Sequence, residues 1–209
     1  RTRVMANMND PSREIVNGRG NLSFTSINLP RLGILADHNV DVFFAELDKM
    51  LTDAVQLDPR RNPDADRARV EAELARTLGT TTAIWLPRGL TRDYDDFGTN
   101  GHVDIVATFP SPGRVLLHTQ RDAAHPDHAV SAALRELLTD HTDAAGRRLE
   151  IVELPAPATL RDDEGFVDWS YVNHLVVNGG VIACGFGEDR ADAEARMILA
   201  DAYPGREIV

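Results

Sequence analysis

Thr99-Asn100-Gly101-His102-Val103-Asp104 joins a polar loop to an apolar run. On an extended chain His102 and Asp104 stand two residues apart, so their side chains point to one face. A histidine beside a carboxylate can move protons, bind a metal or hold a cation. The plainer role for such a pair is a hydrogen-bonded loop anchor. Asp93, Asp95 and Asp96 precede it by a few residues. Asp104 opens a stretch that is otherwise apolar through Phe109, so its carboxylate is expected to be partly buried and to need a partner. That partner is a guanidinium, from Arg88, from Arg92 or from a ligand.

The other reactive side chains carry less. His118, His125, His128 and His141 scatter around one predicted helix. With Asp122 and Asp127 they invite a metal reading, but the spacing is loose, and a solvated helix start is the expectation. No metal is assigned. Cys184 ends an apolar strand and reads as a small core residue rather than a nucleophile. Gly18-Arg19-Gly20-Asn21 precedes a strand, whereas a phosphate-binding glycine loop lies between a strand and a helix, so it reads as a turn.

These residues need elements to hold them. Residues 1–21 read as loop, 22–29 as a strand by period-two alternation, and 40–56 as a helix with an apolar stripe from Phe43 to Val55. Asp58-Pro59-Arg60-Arg61-Asn62-Pro63 is a break. Asp64 is expected to cap a helix over 65–78 that Gly79 stops, followed by a short strand over 83–86. Residues 88–101 form a long polar loop, and loops beyond about 12 residues are usually functional or disordered. A unit then follows: strand 103–109, turn 111–113, strand 114–119, helix 127–139, strand 149–154. It nearly recurs as strand 170–177, turn 178–180, strand 180–184, helix 189–202 and an apolar tail at Ile208-Val209. Helix 65–78 with strand 83–86 resembles the end of a preceding copy. The fold class is therefore α/β (α+β), with about two and a half strand–strand–helix–strand units.

Composition sets the outer bounds. The chain has 209 residues and a single cysteine, which excludes an intramolecular disulfide framework and a multi-thiolate zinc site. No apolar run is long enough to span a membrane, and residues 1–3 open no signal-peptide core, so the expected compartment is cytoplasmic. The net charge of −11 makes nucleic acid a poor partner and a small cation a better one. Acidic and basic residues balance over 1–51, so the whole excess lies in 52–209. That shift divides the chain into two expected domains, 1–51 and 52–209.

Residues 52–209 resemble the agmatine deiminase family of the guanidine-modifying pentein superfamily. The matching stretches are Asp58 to Pro63, Ile84-Trp85-Leu86-Pro87-Arg88-Gly89-Leu90, Thr99 to Asp104, Thr142 to Arg147, and Ser170-Tyr171-Val172-Asn173-His174 on to Gly180. The resemblance implies a pentein-type α/β propeller, here partial. It implies hydrolysis of agmatine to N-carbamoylputrescine and ammonia, a step of putrescine biosynthesis, through a cysteine thiolate and a covalent amidino intermediate. No metal or organic cofactor is implied. The family's Gly-His-x-Asp motif falls on His102 and Asp104, the implied catalytic pair, with Asp96 and Asp104 as substrate-binding carboxylates. The implied partner is a small cationic guanidine, agmatine, and a homo-oligomer is left open.

Two departures qualify that expectation. The family's nucleophile belongs to a Gly-rich segment ending His-Cys, which these residues lack, and Cys184 does not match it. The family's N-terminal substrate carboxylate and Glu-Gly-Gly segment, expected before residue 52, are also missing. The chain by itself is therefore expected to be inactive. Residues 1–51, with Arg1-Thr2-Arg3-Val4, Asp10-Pro11-Ser12-Arg13-Glu14 and Gly18 to Ile34, resemble a stretch of anaerobic ribonucleoside-triphosphate reductase. The alternatives are thus a non-catalytic guanidinium- or polyamine-binding module and a reductase-derived fragment.

Overall fold

A computed structural model describes residues 56–209, apart from 60, 61, 63, 96 and 97 and the side chain of 77. It adds the backbone of residues 6–7, 10–14 and 49–52. The expected strand 22–29, the turn at 18–21 and most of helix 40–56 lie outside the described residues. Inside the segment read as loop, β1 (Ala6–Asn7) and β2 (Asp10–Glu14) pair antiparallel. The end of the expected helix 40–56 is instead a strand, β3 (Lys49–Thr52). It runs parallel to β4 (Ala83–Leu86), pairing Lys49 with Ala83 through Thr52 with Leu86. Met50 and Leu51 fit a helical stripe as readily as a strand, and pairing with the distant β4 decides between them.

Between these strands runs α1 (Arg67–Leu78). Its cap is Asp66, not Asp64: the Asp66 side chain accepts from the Arg69 N–H at 2.8 Å. Asp64 has a φ of 61° and so lies outside the helix. Gly79, at a φ of 70°, ends the helix as expected, its N–H reaching the Ala75 carbonyl.

The next unit is β5 (Ala107–Ser111), β6 (Arg114–Thr119), α2 (Asp127–Thr139) and β7 (Glu150–Pro155). β5 and β6 form a hairpin, and β7 returns parallel to β6 in the sheet order β5-β6-β7. The last unit repeats this order with β10 (Leu175–Val177), β11 (Gly180–Ile182), α3 (Asp189–Ala202) and β12 (Glu207–Ile208). Here too the hairpin is antiparallel and the closing strand parallel. With β3, α1 and β4, the crossover from a strand through a helix to a parallel neighbour occurs three times along the described chain.

β6 joins the two cores. Val115 and Leu117 face one cluster with Ile84, Leu86, Leu90, Val106, Leu134 and Leu138. Leu116 faces the other, with Leu154, Tyr171, Val181 and Leu199. A strand covered on both faces needs a continuous apolar run, and Val115-Leu116-Leu117 supplies it.

Two expected strands differ. The one placed at 103–109 begins instead as a single 3-10 turn, Val103–Ile105, closed by the Val106 N–H on the Val103 carbonyl at 2.9 Å. The one placed at 170–177 keeps only its last three residues. Ahead of them Ser170 accepts from the Val172 N–H and His174 bonds the Tyr171 carbonyl, which diverts the backbone from pairing. A further hairpin, β8 (Arg161–Asp162) and β9 (Gly165–Phe166), fills a stretch without an expected element.

Candidate active site

The long loop after β4 is built around one buried carboxylate. Asp93 lies in a 3-10 turn, Thr91–Tyr94, and is 5% exposed. Its Oδ1 accepts from the Thr99 N–H at 2.7 Å and the Thr99 hydroxyl at 2.5 Å. Its Oδ2 accepts from the Gly101 N–H at 2.7 Å and the His102 N–H at 2.6 Å. A carboxylate has about four lone-pair sites, so Asp93 is saturated. It anchors the loop and has no acceptor left for a guanidinium ligand. The chain passes close enough that glycine is required: a Cβ on Gly98 would stand 2.1 Å from the Asp93 carbonyl oxygen, and one on Gly101 2.3 Å from the Tyr94 hydroxyl. Gly101 also has a φ of 96°.

This loop sets out the expected pair. His102 Nδ1 stands 3.6 Å from Asp104 Oδ1, with the two side chains 30% and 46% exposed. They do share one side of the chain, through a 3-10 turn rather than a strand. Asp104 is therefore exposed, where a partly buried carboxylate was expected, because the turn carries it outward before β5 begins. Its Oδ2 accepts from the Asn173 amide at 3.4 Å, across from the last unit. Neither expected arginine pairs with it. Arg92 reaches Asp162 and Glu164 on the β8–β9 hairpin, each at 2.6 Å. Arg88 lies over the Tyr94 ring and donates to Thr91 Oγ1 at 3.4 Å. Asp95 is exposed, and Asp96 lies outside the described residues.

Asn173 carries a second link. Its carbonyl accepts from the Cys184 thiol at 3.1 Å. Cys184 is exposed just beyond β11, not packed in the core as expected. Partial burial against the protein still pushes its thiol up. A raised pKa leaves less thiolate, the reverse of what a nucleophile needs.

Of the histidines expected at a solvated helix start, His128 is exposed as expected, whereas His125 is corrected. His125 and Asp127 are 3% and 1% exposed. His125 Nδ1 accepts from the Asp127 N–H, and Nε2 meets the Val167 carbonyl at 3.1 Å. Those partners occupy both nitrogens. Asp127 Oδ1 accepts from the Thr91 N–H at 2.7 Å and hydroxyl at 2.6 Å, so this carboxylate also holds the loop. His118 is buried with Nδ1 3.0 Å from Ser170 Oγ. Burial first, and then neighbouring His125, lower its pKa to about 4. Asp168 is half-buried, and its carboxyl is raised by burial first, with Asp93 and Asp127 adding to the effect and Arg92 opposing it. Sequence spacing gave no sign of Asp127, Asp168 or Asn173 near the loop. The contacts are made between units; Asn173 lies in a stretch already singled out, and the sequence shows Asp127 only as part of a helix start.

Against known proteins, residues 48–209 match the model of the Porphyromonas-type peptidyl-arginine deiminase family. A Streptomyces coelicolor protein is 55% identical over 160 residues, which cover 76% of this chain and 47% of that one. An agmatine deiminase from Medicago truncatula is 36% identical over 176 residues, covering 76% of this chain and 46% of that one. The solved agmatine deiminase of Enterococcus faecalis superposes with a TM-score of 0.67 at 29% identity, covering 77% of this chain and 47% of that one. The chain thus spans about half the length of the curated relatives it matches.

Proposed function

The chain belongs to the Porphyromonas-type peptidyl-arginine deiminase family, and from that premise we propose that its site handles the guanidinium of agmatine. The observation that carries this reading is the His102–Asp104 pair, 3.6 Å apart and open to solvent on a stiffened loop inside the matched region. Asp104 presents an acceptor unclaimed by any arginine among the described residues. A carboxylate takes a planar guanidinium through two parallel N–H bonds, and Asp96 is proposed as a second one. His102, beside the substrate carbon, moves protons. The reaction of the parent activity is agmatine and water to N-carbamoylputrescine and ammonia. A thiolate adds to the guanidinium carbon and ammonia leaves, giving a covalent S-amidino intermediate; water then adds to the same carbon and the C–S bond breaks, releasing N-carbamoylputrescine and the thiolate. The repeated crossover units are proposed as blades of a pentein propeller.

Cys184 does not supply the thiolate in this proposal, since its thiol is raised and donates to the Asn173 backbone carbonyl. These 209 residues alone are therefore expected to bind agmatine without turning it over. Calorimetry of agmatine into the chain, alongside an ammonia assay, tests both parts. Binding weakened by Asp104→Asn, with no ammonia, is the expected result. Absence of heat at millimolar agmatine sinks the binding claim. Ammonia release that His102→Ala abolishes would show that the chain works unaided.

A further inference from the structure

The geometry points to Asp93 as the positioning residue of this site, the group that fixes where the His102 imidazole stands relative to Asp104. The inference rests on the reading that His102 and Asp104 face a guanidinium, and it names what holds them there.

Asp93 touches His102 only through the backbone: its Oδ2 takes the N–H of both Gly101 and His102, and its Oδ1 takes both donors of Thr99. All of these are charge-assisted bonds, the shorter and stronger kind. The turn from which Asp93 projects is itself fixed on three sides. Thr91 is held by Asp127 at the start of α2. Arg92 is held by Asp162 and Glu164 on the β8–β9 hairpin. The Tyr94 hydroxyl takes the Gly89 N–H at 2.9 Å. Asp93 therefore transmits the position of a braced turn to a peptide nine residues further on. A shift of about 1 Å in a reacting group can cost two orders of magnitude in rate, so this placement matters to any chemistry at His102. Asp93 is saturated and buried, so it acts through His102 and does not meet the ligand.

Loss of a group that merely stabilises the loop would lower the melting temperature without altering how His102 senses Asp104. The test uses the 209-residue chain and the ring resonances of His102 in NMR spectra. Asp104→Asn should displace those resonances in the wild-type background. In an Asp93→Asn background the carboxamide turns an N–H₂ towards backbone donors and leaves at least one unpaired. The same Asp104→Asn change should then move the ring resonances less than about a third as far. Agmatine affinity should fall about tenfold in Asp93→Asn, the cost of a lost charge-assisted network. Asp143→Asn is the control. Asp143 is also a buried carboxylate that accepts backbone N–H groups, from Ala145 and Arg147, but in a different turn. That variant should lose stability and keep the full ring response.

A ring response as large in Asp93→Asn as in wild type overturns the inference. Should Asp93→Asn fail to fold, Thr99→Val removes one of the four bonds, and an unchanged ring response there overturns the inference instead. The ring response needs no ligand. Failure of wild-type agmatine binding would therefore sink the functional reading while leaving the role of Asp93 to be decided by NMR.

Discussion

The sheet β5-β6-β7 and the loop leading into it are adjacent in the chain and held by opposite means. The sheet is held by its register, Arg114 to Thr119 against Glu150 to Pro155, with an apolar cluster on each face. The loop has almost no ladder. Four of its backbone N–H groups, on Thr91, Thr99, Gly101 and His102, go instead to two buried carboxylates, Asp93 and Asp127. Apolar burial is non-directional and spread over many contacts. A carboxylate on amides is local, directional and ionised. The comparison teaches how an irregular segment can be stiff enough to present a His–carboxylate pair: the carboxylates replace the missing ladder.

The largest expected effect lies on the sheet side. Leu116 is fully buried where β6 meets the second cluster. Leu116→Ala should cost about 2–5 kcal/mol, the range for a buried leucine that leaves a cavity. Urea unfolding should show a lower midpoint, with the amides of Thr99 and Gly101 still protected until the whole unit unfolds. A cost below about 1 kcal/mol would mean the site collapses around the gap, and the contrast between a packed sheet and a bonded loop would weaken.

Acid provides the next test, since it reaches the polar layer between the units. The folded form holds His118 neutral with a pKa of about 4, while the unfolded chain protonates it near the ordinary 6.5. Protons therefore favour the unfolded state as pH falls from 6.5 towards 4, and the group adds no slope above 6.5. The full loss is about 3 kcal/mol. His174, lowered chiefly by burial, acts in the same sense. Asp143 and Asp192, which are lowered, give up their contribution only below the ordinary carboxylate range, in a separate window. Urea midpoints at pH 7 and pH 4.5 should differ clearly in wild type and less in His118→Gln. An equal difference in both would remove His118 from the account.

On the loop side, Asp127→Ala leaves the Thr91 N–H and hydroxyl without their acceptor, a cost of about 1–3 kcal/mol. Hydrogen exchange should speed up at Thr91 and through Thr99 to His102 before it does in β6. If exchange rose evenly across the sheet and the loop, the two regions would be one cooperative unit, and the comparison would fail.

The same contrast explains what could be read from the sequence. Helices α2 and α3 occupy the expected 127–139 and 189–202, because a helical stripe and its local bonds are written in consecutive residues. The crossover repeat was legible for that reason, and so was the His102–Asp104 pair, two residues apart. The chain did not advertise that Asp93 spends its carboxylate on backbone nine residues away. Nor did it show that β3 pairs with β4, or that His125 is sealed beneath Val167 and Phe166. Each of these is a tertiary contact that local periodicity does not report. Asp162 is the near miss: Asp162-Asp163-Glu164-Gly165 has turn chemistry, and its Oδ1 does accept from the Glu164 and Gly165 N–H groups.

The smallest expected effects come from that hairpin, where the loop's outer brace meets solvent. Arg92 bridges Asp162, whose side chain is 35% exposed, and Glu164, at 82%. An exposed ion pair gains little over its hydrated partners and is screened by salt. Glu164→Gln should therefore leave the melting temperature within experimental scatter. Asp162→Asn should lower it measurably, since Asp162 both meets Arg92, the main cause of its lowered carboxyl, and closes the turn between β8 and β9. High salt should narrow the gap between wild type and Asp162→Asn without erasing it, because the turn bonds survive screening when the ion pair does not. If salt erased the gap entirely, the hairpin would be held to the loop by charge alone. The brace on Arg92 would then be the weakest of the three that fix the turn carrying Asp93.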